Sequence, residues 1–248
     1  MPDISVVLPT YNERDHIVDL VAAIQVALPA GTEIIVVDDD SPDGTWLAVQ
    51  DYATSHPDVR LLRRIGRRGL TSAFNEGIAL SAGRVVCWMD CDFSMPPEKL
   101  PELVEATKRS DLAIGSRYVP GGADVGHSFL ALAFSRTINL FAGLLLGFYV
   151  HDYTSGFIAA RRHVLEAIPL RGDYGEYFID LMGRAQRKGF SATEVPYTCM
   201  PRRSGESKTG ADVWGYLRRG TKYVATVLRL RFSPEAEAPP DDDHEEPG

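Results

Sequence analysis

The chain reads as an α/β protein with a mostly parallel central sheet and helices on both faces, and three observations predict it. Short apolar runs bounded by turn residues alternate with stretches of helical periodicity through the first half of the 248 residues. Polar clusters fall where those runs end, and open parallel sheets bind ligands outside the carboxyl ends of their strands. The Gly-rich dinucleotide fingerprint is missing after the first run, as is a phosphate-binding loop ending in Gly-Lys-Ser/Thr. Dehydrogenases and phosphate-loop NTPases are therefore disfavoured.

Taken in order, residues 4–8 form a short buried strand. A helix over 11–28 follows, with Asn12 as its expected N-cap, and Pro29-Ala30-Gly31 breaks it. Residues 33–37 are the second strand. Ser41-Pro42-Asp43-Gly44 has turn chemistry and leads into a helix to about 55. A third strand at 59–63 precedes a helix over 70–81, and Gly83 turns the chain into a strand over 84–89. A helix over 97–108 carries Leu100, Leu103 and Val104, and 111–114 is a further strand. The second half is less regular. Residues 129–150 are apolar but interrupted by Ser135, Arg136 and Asn139, and 152–157 are turn-like. Residues 177–188 read as a helix and 193–198 as a strand, with no internal repeat.

With 44% hydrophobic and 24% charged residues the composition is that of an ordinary globular protein, with ample chain for a core. The formal net charge of -8 misleads. Seven acidic residues and no Lys or Arg follow Pro234, so the remainder is close to neutral. That tail, 233–248, is expected to be disordered and solvating. The three cysteines, Cys87, Cys91 and Cys199, have no metal spacing, and their odd number argues against a disulfide framework and for a reducing compartment. Cys87 and Cys91 read as fillers. No signal peptide is visible, and no stretch reads as a confident transmembrane helix. No nucleic-acid partner is expected.

The most informative feature is Asp90-Cys91-Asp92, closing the apolar strand Val85-Val86-Cys87-Trp88-Met89. In extended backbone, residues two apart point to the same side, so the two carboxylates can share a hard divalent cation such as Mg²⁺. Mg²⁺ is commonly held by one or two carboxylates plus substrate phosphates, which suggests a diphosphate leaving group. A second acidic corner, Asp38-Asp39-Asp40, closes Val36-Val37. Pro9-Thr10-Tyr11-Asn12-Glu13 and Gly115-Ser116-Arg117-Tyr118 complete four polar clusters at strand ends.

These motifs, Leu8-Pro9-Thr10-Tyr11-Asn12-Glu13, Val37-Asp38-Asp39-Asp40-Ser41-Pro42-Asp43-Gly44-Thr45, Asp90-Cys91-Asp92 and Gly115-Ser116-Arg117-Tyr118, resemble those of family-2 glycosyltransferases. More narrowly, they resemble dolichyl- or polyprenyl-phosphate mannosyltransferases. Ser155-Gly156-Phe157 and Arg203-Ser204-Gly205-Glu206-Ser207-Lys208 extend the likeness, which covers roughly 3–232. It implies a nucleotide-diphospho-sugar transferase (GT-A type) fold, with a nucleotide-sugar half over 1–118, an acceptor half over 119–200 and a basic amphipathic segment over 201–232. It also implies one Mg²⁺ or Mn²⁺ on Asp90 and Asp92. Pro9, Tyr11 and Glu13 would line the nucleoside pocket. Asp38 would hold the base with Asp39 or Asp40 beside it, and Cys91 lies in the same donor stretch. Arg117 would meet phosphate, and Arg203 and Lys208 would grip the acceptor phosphate. Arg202 stands with them near a Gly-bearing loop, and Arg136 is an outlying candidate. Asp39 and Asp40 read equally as solvated surface, and Arg136 and Arg202 nearly so. The chain departs from the family pattern at Gly69-Leu70-Thr71, where relatives often carry Gly-Leu-Gly. It departs again at Tyr177-Phe178-Ile179-Asp180, where Phe-Gln-X-Glu is common, and at Ser94, where some relatives offer a metal ligand.

The expected reaction is inverting transfer of mannose from GDP-mannose to a polyprenyl or dolichyl phosphate. A phosphate monoester has a second pKa of ~6 and needs cations rather than a base. A hydroxyl acceptor would need a carboxylate base, for which Asp152 and Asp180 are the candidates. Another donor such as UDP-glucose, and a non-catalytic nucleotide-sugar-binding scaffold, are the alternatives. A lipid acceptor requires a membrane surface. Trp214, Leu217, Val224, Leu228 and Phe232 share one helical face beside Arg218, Arg219, Lys222 and Arg229. Peripheral attachment on the cytoplasmic face, or a membrane-anchoring partner subunit, follows as an expectation.

Overall fold

The structure is a computed structural model and describes residues 2–202 and 213–233, without side chains over 213–219. A seven-stranded sheet forms its centre, in the order β3-β2-β1-β4-β7-β5-β8. The strands are β1 (Ile4–Thr10), β2 (Glu33–Asp38), β3 (Val59–Arg63), β4 (Val85–Trp88), β5 (Leu112–Ser116), β7 (Ile158–Arg161) and β8 (Ala192–Pro196). All neighbours pair in parallel except β7, which runs antiparallel to both β4 and β5. A separate parallel pair joins β6 (Ala123–Asp124) to β9 (Thr198–Cys199).

The pleat sends alternate residues to two cores. Val6 and Leu8 pack with Ile17, Leu20 and Ile24 of α1 (Ile17–Ala27), Val49 of α2 (Thr45–Ala53) and Leu100 and Leu103 of α4 (Leu100–Ala106). Val7 and Val37 face the other way, onto Phe74 of α3 (Leu70–Leu80) and the larger core with α5 (Phe129–Leu146), α6 (Arg162–Ala167), α7 (Glu176–Arg187) and α8 (Val213–Phe232). Helix α3 lies close to the sheet because Gly77 has no side chain. A Cβ there would sit 2.4 Å from Val7 Cγ1.

The strands and helices of the first half fall where the sequence places them, and the differences have local causes. No helix begins at Asn12. Its φ is +56°, and α1 starts at Ile17 with no side-chain cap. Residues 97–99 form a 3₁₀ turn ahead of a shorter α4. Strands β6, β7 and β9 were not legible. The 129–150 stretch holds one helix, α5, which is long and apolar enough to cross a membrane by length and composition, against the sequence expectation. It is also fastened to the domain. Asn139 Nδ2 donates to Thr154 Oγ1 at 2.9 Å, and Phe134 meets Tyr223 of α8 edge-on.

Glu176, at the head of α7, is buried, and its Oε2 has no hydrogen-bond partner among the described residues. Burial pushes its carboxyl above the usual range, and a hydrogen bond to Asp173 adds to the rise. A folded pKa above the unfolded one means that ionisation works against folding as pH rises past the unfolded value. Glu176→Gln keeps a donor for Asp173 and removes the charge. We expect it to stabilise the protein by about 1 kcal/mol at pH 7, with the gain fading near pH 4, as measured by urea unfolding at both values.

Candidate active site

The four polar clusters lie at the carboxyl ends of β1, β2, β4 and β5, and hydrogen bonds tie the loops after β1 and β2 to each other. At the β1 end, Pro9 and Tyr11 are half-buried. Asn12 N donates to Ser41 Oγ and Glu13 N to Thr45 Oγ1, both at 3.0 Å. Asp43 accepts from the backbone N–H and the hydroxyl of Thr45, which orders the turn into α2 and holds its carboxyl below the usual range.

The three acids after β2 do three different things. Asp38 is fully buried and accepts from Thr10 Oγ1 at 2.9 Å, Ser41 N at 2.8 Å and Ser41 Oγ at 2.6 Å. Asp38, read from the sequence as holding the base, pins the β1 and β2 loops to each other. Asp39 accepts from Arg64 Nε at 2.7 Å and Gly69 N at 2.9 Å, and burial raises its carboxyl despite those bonds. Asp40 pairs with Arg63, whose guanidinium lies 3.6 Å from the centre of the Trp46 ring. Asp40 is therefore neither unpaired nor aimed freely at a ligand. Arg64 was missed. It is almost wholly buried and also binds Glu76, Ser72 and the Gly69 carbonyl, tying β3 to α3. Its position one residue past a strand is the only trace it leaves in the sequence.

At the β4 end, Asp92 is buried. Its Oδ1 accepts from Ser94 N at 2.9 Å, and its Oδ2 pairs with Arg202 Nε at 2.9 Å. Asp90 is open to solvent while protein packs around it, and its carboxylate has no hydrogen bond or ion pair among the described residues. Its pKa is pushed up to about 6, first by burial and then by Asp92, while Arg202 opposes the rise. An unpaired carboxylate beside a second one fits a divalent cation, and the all-oxygen donor set fits Mg²⁺ or Mn²⁺. Cys91 reaches back to the β1 end. It is buried, its Sγ 3.5 Å from the Pro9 carbonyl. Beneath the corner, Trp88 Nε1 donates to Tyr177 Oη at 3.0 Å, and burial next to Asp90 raises the Tyr177 phenol. The loops after β1, β2 and β4 each contain a non-glycine residue at positive φ: Asn12 at +56°, Asp40 at +52° and Phe93 at +62°. For Phe93 this is a real outlier, and such strain clusters at functional sites.

Arg117, expected from the sequence to meet phosphate, forks onto Asp152, with Nε to Oδ2 and Nη2 to Oδ1 both at 2.8 Å. Its Nη1 binds Asp124 at 3.2 Å, and Nη2 also reaches Thr154. Asp152 is completely buried, and its negative charge holds the guanidinium pKa well above the usual value despite burial. Asp124, His127 and Cys199 place ligand atoms within 4.8 Å of one another. The His127 ring there sits 3.0 Å from Asp124, whose other partner is the cation of Arg117. The Cys199 thiol is pushed up to about 12 by burial. These residues brace Arg117 and the β6–β9 pair.

Among the acceptor candidates, Arg136 is exposed on α5 with no polar partner among the described residues. Arg202 lies at the Asp90–Asp92 corner, paired with Asp92. Arg203 and Lys208 lie outside the described residues. Asp180 is buried between Arg184 at 3.0 Å and Arg229 of α8 at 2.9 Å.

The family model described as glycosyl transferase family 2 matches residues 5–168. Polyprenol monophosphomannose synthase of Mycolicibacterium smegmatis is 42% identical over 217 residues, 84% of this chain and 82% of that protein. Dolichol-phosphate mannosyltransferase of Pyrococcus furiosus is 38% identical over 239 residues, 93% of this chain and 67% of that protein. Among solved structures, glucosyl-3-phosphoglycerate synthase of Mycobacterium tuberculosis, in complex with Mn²⁺, UDP and glucosyl-3-phosphoglycerate, has a TM-score of 0.71 at 20% identity. The match covers 95% of this chain and 82% of that one, and the likeness shows the GT-A type fold.

Proposed function

The chain belongs to glycosyl transferase family 2, and from that premise we propose that it transfers mannose from GDP-mannose to a polyprenyl or dolichyl phosphate, with inversion at the anomeric carbon. The observation that carries the acceptor is the state of the two carboxylates a hydroxyl acceptor would need. Asp152 is locked to Arg117, and Asp180 to Arg184 and Arg229. Neither is available as a base. A phosphate acceptor requires none, because at neutral pH it is largely dianionic. Its oxygen attacks the anomeric carbon, the bond from that carbon to the GDP oxygen breaks, and the product is a β-linked glycosyl phosphate lipid. The names of the mannosyltransferase relatives support the same acceptor class.

Asp90 and Asp92 would hold Mg²⁺ or Mn²⁺, which when bound neutralises charge on the departing diphosphate. Ser94 N fixes the Asp92 carboxylate from behind, and Arg202 adds positive charge beside it. Pro9, Tyr11 and Glu13 would border the nucleoside. Arg117 acts as a positioning residue: it joins β5, the 152–154 turn and Asp124 into one rigid wall.

The acceptor's lipid tail calls for a membrane surface. Helix α5 exposes Phe129, Leu130, Leu140 and Leu144, with Phe148 just beyond it, and α8 exposes Leu228 and Phe232. Of the face read from sequence, Val224 packs on the domain beside Val227 and Leu230, Leu228 and Phe232 are outward, and the side chains of Trp214 and Leu217 lie outside the described residues. Exposed apolar side chains beside Arg136, Arg229 and Arg231 fit peripheral docking on an anionic cytoplasmic leaflet, with or without an anchoring subunit.

The test is a transfer assay. Purified protein with Mg²⁺ or Mn²⁺ and a short polyprenyl phosphate in anionic vesicles is given labelled GDP-mannose or UDP-glucose. Label is expected in the organic phase with GDP-mannose alone, and protein is expected to float with the vesicles at low salt. Transfer from UDP-glucose alone overturns the donor, and transfer to a hydroxyl acceptor overturns the phosphate acceptor. Metal-dependent nucleotide binding without any transfer favours the scaffold reading.

A further inference from the structure

Four arginines follow one another around the end of β3, and three of them are neutralised. Arg63 pairs with Asp40, Arg64 with Asp39 and Glu76, and Arg67 with Glu76. Arg68 has no carboxylate partner among the described residues. Its guanidinium lies over the Tyr11 ring, 4.1 Å from the centroid, and Nη2 donates to the Tyr11 hydroxyl. Arg68 is exposed, and the next residue, Gly69, donates its backbone N–H to Asp39 at 2.9 Å. An exposed, uncompensated fork thus stands on an aromatic platform at the mouth of the candidate site.

Its place along the sheet says which part of a nucleotide it meets. The metal corner is at the end of β4, and the order β3-β2-β1-β4 puts β3 three strand spacings away, roughly 14 Å. A diphosphate held at Asp90 and Asp92 leaves its nucleoside to run over β1 and β2 towards β3. Arg68 arrives from that far side and reaches Tyr11 after β1, so it faces the base end rather than the phosphates. A guanidinium presents parallel N–H donors in a rigid plane, and it accepts nothing. Guanine offers the matching pair of acceptors, N7 and O6, on one edge. Uracil has a single carbonyl on the corresponding edge.

We propose that Arg68, steadied on Tyr11, reads the N7/O6 edge of the donor's guanine and is a specificity-determining residue. The inference rests on the GDP-sugar reading above and deepens it. The test is calorimetric titration of the full chain with GDP, 7-deaza-GDP and UDP, each with Mn²⁺, for the wild type, Arg68→Ala and Arg68→Lys. Arg68→Ala is expected to weaken GDP about 10-fold to 100-fold and to leave UDP unchanged. Wild type is expected to bind 7-deaza-GDP more weakly than GDP, and Arg68→Ala to bind the two alike. Lysine, which keeps the charge without the fork, is not expected to restore GDP affinity.

Equal weakening of GDP and UDP would make Arg68 a phosphate contact and overturn the proposal, as would unchanged GDP affinity or full rescue by lysine. A wild type that prefers UDP to GDP overturns the donor reading itself. Unchanged melting curves for both variants confirm that binding, not folding, is being measured.

Discussion

Asp92→Ala is expected to abolish transfer and to leave the protein folded. Asp92 and Asp90 are the two carboxylates that converge at the end of β4, and Asp90 has no partner of its own among the described residues. A Lewis acid at a departing diphosphate contributes several kcal/mol to the transition state, which corresponds to a loss of about 10³-fold in rate. Asp90→Asn is expected to lose activity similarly, with a different effect on stability. The folded pKa of Asp90, about 6, lies above the ordinary carboxylate value, so its charge opposes folding at neutral pH when no cation is bound. Asp90→Asn should therefore melt no lower than wild type in EDTA. It should also fail to gain the rise in melting temperature that Mn²⁺ gives wild type. Full activity of either variant, or of wild type in EDTA, would remove the metal from the reaction.

The second large effect is on stability. Asp152→Ala leaves the buried Arg117 guanidinium without the carboxylate that receives its Nε and Nη2, and removes the acceptor for the Arg117 backbone N–H as well. Breaking a buried ion pair by deleting one partner costs about 3–5 kcal/mol. In a chain of this length that lowers the melting temperature by roughly 6–20 °C. The same experiment separates two roles for Asp152. A general base would lower kcat and leave the urea midpoint in place, and that outcome would restore the hydroxyl-acceptor reading. A brace lowers the midpoint, and activity follows the folded fraction.

Both predictions depend on residues visible in the sequence, but only the first depends on a role visible there. The apolar strands β1 to β5 and the helices between them are written in local periodicity, two for strands and 3.6 for helices, and the structure finds them within a few residues. The Asp90–Asp92 pair is legible for the same reason, since a short extended segment fixes which side its residues face. The antiparallel β7 was not. Nothing in Ile158-Ala159-Ala160-Arg161 says that it inserts between β4 and β5, because that pairing joins residues seventy or more positions apart in one case and about forty-five in the other.

The site residues divide along the same line. Sequence by itself determined the fold class, the family motifs and the acidic corner of this protein. Tertiary structure alone decided that Asp38 is a buried clasp between two loops, that Arg117 is committed to Asp152 and Asp124, and that Arg68 has no carboxylate partner among the described residues. The physical reason is that a charged side chain takes its role from its nearest opposite charge. Here those partners stand 35 and 7 residues from Arg117. Local pattern fixes which face a residue occupies, and only the folded chain brings to that face the groups that neutralise it or leave it free to bind.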